Sequence, residues 1–296
     1  MIFSPPARRV PWESLIVCIW SLIIDGLLLL WAARRPIDWL KFALIFVVLA
    51  SLPFLLHLAY RTWAALTLEY QVDRNAVTIR WAGARQIIPL HAIRRVIRGG
   101  LQDLSAPRRL DWPAEDIRRS QALGLLNVRM LAARPLEECL LLETTDGVYA
   151  LSPAAEDEFL DALQARYRFG PSRSVEMSRE YTTRLGEFFS ANPAGLVLLI
   201  GGLAGVLALA GLLMVRFPGL PDELVMQVNS DGLPLSVRSK DALFLLPAMG
   251  FLAWLLNSVA GLWLAARGQA VAAYLLWGGT IVVQLFSLLA LFSLLP

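Results

Sequence analysis

Cysteine and histidine are almost missing from this chain of 296 residues. The two cysteines, Cys18 in an apolar run and Cys139 in a strand-like run, form no Cys-x-x-Cys pair and are too few for a disulfide framework. The two histidines, His57 and His91, leave a zinc or haem site almost no imidazoles to build on. Lysine is equally scarce: only Lys41 and Lys240 occur, so nearly every cation is an arginine. The net charge of +3, from 27 basic against 24 acidic residues, is small and not gathered into a tail, which argues against a nucleic-acid partner. No Gly-x-Ser-x-Gly, His-Glu-x-x-His or phosphate-binding Gly-Lys-Ser/Thr occurs, and neither cysteine has a plausible base. These gaps lead to an expectation of no catalytic residue, no metal and no cofactor. Charge is sparse as well, at 17% of residues against about 25% in soluble domains.

Apolar length is what the chain has in excess. Hydrophobic residues make up 57% and mean hydropathy is +0.57. A bilayer core of ~30 Å needs about 20 apolar residues per helix. Five runs meet that need, at about 15–33, 40–60, 193–215, 242–266 and 269–295. The first follows Arg8-Arg9 and ends in Ala32-Ala33, like a signal peptide, but it is too long for a typical h-region. The short link Arg35–Trp39 makes the first two an antiparallel hairpin, and Trp12, Trp31, Trp39 and Trp63 flank them at interface level.

Between the second and third runs the period changes. Ala65–Gln71, Ala76–Trp81 and Gln86–Leu90 are short β-branched or aromatic runs, divided by Asp73-Arg74-Asn75 and Ala82-Gly83-Ala84. A further strand pattern covers Leu126–Ala132. Cys139–Glu143, the turn Thr145-Asp146-Gly147 and Val148–Leu151 then read as a hairpin, with Gly147 expected at positive φ. Ser152-Pro153 reads as the cap and first position of a helix whose apolar face is Phe159, Leu160, Leu163 and Tyr167. The expected fold is a membrane α-helical protein with an inserted α+β soluble domain, a small β-barrel or sandwich capped by a C-terminal helix. Its divisions are a transmembrane hairpin at 1–60, the soluble domain at 61–171, a linker at 172–191 and three helices at 192–296 with a polar loop at 216–241.

Charge orients this arrangement. With the N-terminus inside, nine arginines lie near helix ends on that side: Arg8, Arg9, Arg61, Arg74, Arg80, Arg173, Arg179, Arg184 and Arg267. Six cations, Arg34, Arg35, Lys41, Arg216, Arg238 and Lys240, lie on the other. The expectation is a multi-pass membrane protein with a cytoplasmic soluble domain and an external C-terminus.

Several blocks of the soluble segment resemble a known family. They are Leu68–Val72, Val77–Trp81, Ile87-Ile88-Pro89-Leu90-His91-Ala92-Ile93, Trp112-Pro113, Arg134–Glu138, and Tyr149–Pro153 leading to Phe159 and Leu163. Over about 64–171 they resemble the bacterial pleckstrin-homology-like (bPH) domains of bacterial membrane proteins. That resemblance implies a PH-like fold and a binding or sensing scaffold. A second resemblance, over about 195–260, rests on Leu220-Pro221-Asp222, Asn229, Gly232, Pro234 and Lys240. It is to a domain of unknown function in SdpI-type immunity and signalling membrane proteins, although Val225 and Gln227 stand where that pattern has Pro and His. Neither family implies a reaction.

The candidate sites each carry two readings. Arg94, Arg95 and Arg98 suit the phosphates of membrane lipids, or are a solvated face of paired arginines. Arg108, Arg109 and Trp112 lie in a long segment, Gly99–Gly124, expected to be irregular. They dock on headgroups or on a protein partner, or else Trp112 packs onto the barrel. Asp25 lies mid-helix, ~15 Å from the inner surface by helix rise, with Asn257 and Thr280 at nearly the same depth. A carboxylate there costs ~2.5–3.5 kcal/mol on insertion scales, so it faces a partner as a polar clamp or serves as an ion relay. Gly201 and Gly205 permit close helix packing, within the chain or in self-association. Asp222, Glu223, Asn229 and Asp231 do not match a calcium-loop spacing. A binding scaffold is therefore expected; the alternative is a small transporter, or a regulatory subunit of one, using the Asp25 level.

Overall fold

A computed structural model describes residues 1–6, 10–122, 124–169, 172–173, 175–181, 184–228 and 234–294. Arg8, Arg9, Asn229, Asp231 and Gly232 lie outside the described residues. The elements are β1 (Ile2–Phe3), α1 (Val10–Arg34), α2 (Trp39–Leu66), β2 (Glu69–Val72), β3 (Ala76–Trp81), β4 (Ala84–Pro89), β5 (Ile93–Arg98), β6 (Ile117–Ala122), β7 (Leu125–Leu131), β8 (Leu140–Thr144) and β9 (Gly147–Leu151). They continue as α3 (Glu156–Phe169), β10 (Ser178–Tyr181), α4 (Arg184–Ala191), α5 (Pro193–Arg216), β11 (Glu223–Val228), β12 (Pro234–Ser239), α6 (Leu245–Ala266) and α7 (Ala270–Leu294). Contacts divide the chain into two units, Met1–Ile23 with Leu52–Thr182, and Ile24–Ser51 with Thr183–Pro296.

The first unit holds two five-stranded sheets, ordered β1-β2-β3-β4-β10 and β5-β8-β9-β7-β6. Tyr70, Val77, Ile79 and Ile88 of the first sheet share one core with Leu140, Leu142, Tyr149 and Leu151 of the second. Helix α3 adds Phe159, Leu160 and Leu163 to that core, and β1 adds Phe3. Side chains alternate along a strand, so Leu141 points the other way, into a second cluster with Val128, Met130, Val148 and Ala150. That alternation explains why Leu140–Leu142 is apolar on both faces.

Turn chemistry sets the registers. Trp81 pairs with Ala84 across the two-residue turn Ala82-Gly83, both at positive φ (42° and 72°), the conformation that matches strand twist in a tight hairpin. Thr144 pairs with Gly147, so the β8–β9 turn is Thr145-Asp146 alone and Gly147 is the first strand residue, at φ 143°. A Cβ there would meet nothing closer than the Asn127 carbonyl at 3.9 Å, so the restriction lies in the backbone. Gly147→Val is expected to destabilise the full chain by about 1–3 kcal/mol, the usual cost of an L-residue held at such φ. Thermal unfolding in detergent measures it, and an unchanged curve would refute this turn geometry.

Helix α3 starts at Glu156, four residues after the expected Ser152 cap. Ser152 is buried, and its hydroxyl accepts from the Ala133 N–H at 2.7 Å. The Ser152 N–H donates to Tyr70 Oη at 3.2 Å, and Tyr70 donates to the Leu131 carbonyl at 2.7 Å. Burial pushes the Tyr70 phenol well above its ordinary range, against the Ser152 hydrogen bonds. Ser152 thus joins the two sheets, and Tyr167, expected on the apolar face of the helix, is exposed.

Among the described residues, five helices are long and apolar enough to cross a membrane. Helix α2 runs on to Leu66, beyond the residue-60 limit expected from hydropathy. The segment 172–191 contains β10 and α4, and the polar segment 216–241 contains the antiparallel pair β11–β12 with Lys240 bonded to Asp222 at 2.8 Å. The Asp222 side chain is exposed, and the Lys240 ammonium holds its carboxyl below the usual range.

In the second unit α5, α6 and α7 pack through glycines. A Cβ on Gly205 would stand 2.8 Å from Gln284 Cγ, and one on Gly202 2.9 Å from Trp254 Cδ1. At Gly201 the nearest atom is Ile281 Cδ1 at 3.6 Å, an ordinary contact, so the tight approach is at Gly205 and Gly202.

Candidate functional site at the end of the second helix

The extension of α2 beyond Tyr60 brings Arg61 into the first unit, where it is 9% exposed. Its guanidinium donates to the Ile117 carbonyl at 2.5 Å and to those of Asp111 and Ala114. The five donors of a guanidinium sit in a fixed planar fork, which suits several carbonyls of one turn. Arg61 therefore gathers residues 111–117 onto the helix. One turn earlier, His57 Nε2 lies 2.6 Å from the Leu110 carbonyl.

The segment expected to be irregular, Gly99–Gly124, is pinned at a second place. Arg118 pairs with Asp103 at 2.5 Å, with its side chain only 7% exposed, and Ser120 Oγ donates to Asp103 at 2.5 Å. The Leu104 N–H also donates to the Gln121 carbonyl at 2.9 Å. Residues 117–122 are strand β6, a correction to the expected irregular segment. Arg-Arg-Ser-Gln hides that strand in the sequence, because its inward polar side chains are matched by Asp103 rather than being apolar.

The described loop presents a mixed surface between these pins. Arg108 and Arg109 are exposed, Leu110 is 70% exposed and Leu104 is 55% exposed. Asp111 accepts from the Arg108 N–H at 2.9 Å and closes the turn. Trp112 is half-buried, preceding Pro113 through a cis bond. The turn thus sets one exposed apolar side chain, Leu110, beside two exposed cations.

Arg94, Arg95 and Arg98 fall on β5, at the edge of the second sheet, and all three are exposed. Arg95 pairs with Glu143 at 2.8 Å, and Arg98 with Asp157 at 2.9 Å. Arg94 occupies the irregularity between Ile93 and Arg95 in the β5–β8 ladder, with no ion pair among the described residues. Two of the three cations are thus answered by carboxylates, in exposed pairs of the kind worth ~0–1 kcal/mol each.

The polar residues expected at one depth, Asp25, Asn257 and Thr280, fall into two separate contacts. Ser51 Oγ lies 2.6 Å from Asp25 Oδ2, joining α1 to α2. Asn257 Nδ2 donates to Thr280 Oγ1 at 3.0 Å, joining α6 to α7. Gln284, unmarked by the depth argument, donates to the Gly250 carbonyl at 2.8 Å. Each of these contacts joins two helices. Among the described residues no group of three or more His, Cys, Asp or Glu could hold a metal ion.

Nothing in the sequence marks Arg61 as more than a flanking cation at the end of an apolar run. The one legible signal is length: 28 residues at ~1.5 Å each exceed a ~30 Å bilayer core by about two turns.

Residues 68–167, about a third of the chain, match the family model of the bacterial PH domain. The matched stretch runs from the start of β2 into α3, the part that builds most of the two sheets and the helix against them. The region of the second resemblance, about 195–260, lies outside the match. No curated protein and no solved structure matches the chain.

Proposed function

We propose that the chain is a multi-pass protein of a bacterial inner membrane. Its cytoplasmic PH-like unit serves as a binding or sensing scaffold, without enzymatic turnover, and engages lipid through the 108–112 turn. The apolar side chains of the five long helices support insertion: Leu27, Leu56, Val197, Leu256 and Phe286 are among many left exposed, as suits helices covered by lipid. The arginine distribution supports the orientation.

The observation that carries the lipid reading is the meeting of Leu110 with His57. His57 lies one helical turn on the apolar side of Arg61, so the exposed Leu110 sits where α2 leaves the hydrocarbon. Arg108 and Arg109 are then at headgroup level, where each cation near anionic lipid contributes ~1 kcal/mol. A protein partner or a second copy of the chain would complete the scaffold.

The test uses the full chain in liposomes of phosphatidylethanolamine and phosphatidylglycerol, with Cys18→Ala to remove the accessible thiol. An environment-sensitive fluorophore on Leu110→Cys is expected to be quenched by lipids brominated near the headgroup. Arg108→Gln with Arg109→Gln is expected to weaken that quenching at low salt, and rising salt to weaken it in the parent, since exposed charges are screened within ~8 Å at 0.15 M. A probe at Leu110 that brominated lipid leaves unquenched would overturn the reading.

A further inference from the structure

A second feature of the first unit shares Arg61 with the 108–112 turn but is lined by none of the turn's own residues. A cavity of about 410 Å³ lies where α2 meets the sheets, within the usual range for small-molecule sites. Five arginines line it: Arg61, Arg118, Arg119, Arg129 and Arg179, with no aspartate or glutamate among the lining residues. A larger cavity of about 720 Å³ nearby holds Arg80 and Arg85 together with Glu69 and Glu180, so its charges are balanced internally.

The five cations are held in place by groups that leave part of their charge unanswered. Arg118 pairs with Asp103, and Arg129 with Asp146 at 3.2 Å. Arg129 also donates to Tyr149 Oη at 2.7 Å. Arg179 stacks on Trp81 and Tyr181 at 5.2 and 5.3 Å from the ring centroids, contacts that hold the guanidinium plane while its edge N–H groups stay available. Neither Arg119 nor Arg179 makes an ion pair among the described residues. Arg61 and Arg118 each carry a buried Nε–H with no partner among the described residues. The forks of Arg119 and Arg179, beside aromatic walls in a cavity lined by three further arginines, match the acceptor-rich, doubly coordinated geometry of phosphate oxygens.

We propose that this cavity binds an organic phosphate, either the headgroup of an anionic lipid or a free phosphate ester. Arg119 and Arg179 are the two forks that close on it, and Arg61 and Arg118 form its buried side. Tyr60, Trp81 and Tyr149 supply the walls against which the organic part lies. The inference does not depend on the 108–112 turn, since a turn that ignores lipid leaves the cavity as it is.

Calorimetric titration of the full chain in neutral detergent tests it with two probes. One is dihexanoyl phosphatidylglycerol below its micelle concentration; the other is glycerol 1-phosphate. Binding of the lipid alone assigns the headgroup source, and comparable binding of glycerol 1-phosphate assigns the free ester. Arg119→Gln with Arg179→Gln is expected to weaken the bound probe at least tenfold. Both side chains are exposed, so the melting temperature is expected to stay put. Should that variant melt early, Arg119→Lys with Arg179→Lys, which keeps the charge and loses the forks, is expected to weaken binding by a smaller factor. Arg94→Gln with Arg95→Gln is expected to leave binding unchanged. Binding of neither probe, or binding that the β5 pair weakens as much as the cavity pair does, would overturn the proposal.

Discussion

Replacing Arg61 by alanine is expected to destabilise the first unit by at least about 3 kcal/mol and to free residues 111–117. Three carbonyls, those of Asp111, Ala114 and Ile117, accept from this one guanidinium. A hydrogen bond to a charged group contributes about 1.5–3 kcal/mol. The Ala114 carbonyl keeps a second donor, the Ile117 N–H at 2.9 Å. The other two alone therefore account for about 3 kcal/mol. In a unit of this size such a loss lowers the midpoint by about 6–12 °C. Lysine is expected to recover only part, because one ammonium cannot span three acceptors set around a planar fork. Thermal unfolding of the full chain in detergent reads the first effect, and amide exchange over 111–117 reads the second. A midpoint shift below about 2 °C, with exchange unchanged, would show that the turn holds itself.

Arg61 also marks where the sequence stops being legible. The strands β2, β3 and β4 follow from alternation and turn residues, and β8 and β9 follow from two short apolar runs divided by the Asp-Gly turn. Strand β6 and the pair β11–β12 do not. In β6 the inward groups are Arg118 and Ser120, satisfied by Asp103 from fifteen or more residues away, and no local period records such a match. Ser152-Pro153 carries the local signature of a helix cap, but Tyr70, 82 residues distant, engages Ser152 first. The arginines at Arg94, Arg95 and Arg98 stand out as a cluster because they are neighbours in the chain. Those of the cavity are scattered from position 61 to 179 and converge only through the two sheets.

The same limit applies to the glycines, and it leads to the second large effect. Gly201 and Gly205 attract notice by their spacing, but Trp277 is the more confined neighbour. It is 1% exposed and lies against Gly195 of α5 and Gly261 of α6. A Cβ on Gly261 would stand 2.6 Å from Cε2 of the indole and 2.9 Å from Cδ1. The ring cannot retreat toward Gly195, whose own Cβ position is 2.8 Å from Cζ3. Phe188, Phe189 and Tyr274 surround it, each with ring centroids 6.1 Å away. Small residues at helix crossings allow this kind of backbone approach, and overfilling a packed site costs about 1–3 kcal/mol or more. Gly261→Val is therefore expected to lose about 3 kcal/mol in the second unit, because two added methyl groups would follow a Cβ that already has no room. Gly201→Ala, with its nearest atom at 3.6 Å, is expected to stay within about 0.5 kcal/mol of the parent. Gly279→Ala, with nothing within 4 Å, serves as a control for the substitution itself. Thermal unfolding of the three variants in the same detergent orders them. Equal losses at Gly201 and Gly261 would mean that spacing along the helix, and not the Trp277 contact, sets the packing of α5, α6 and α7.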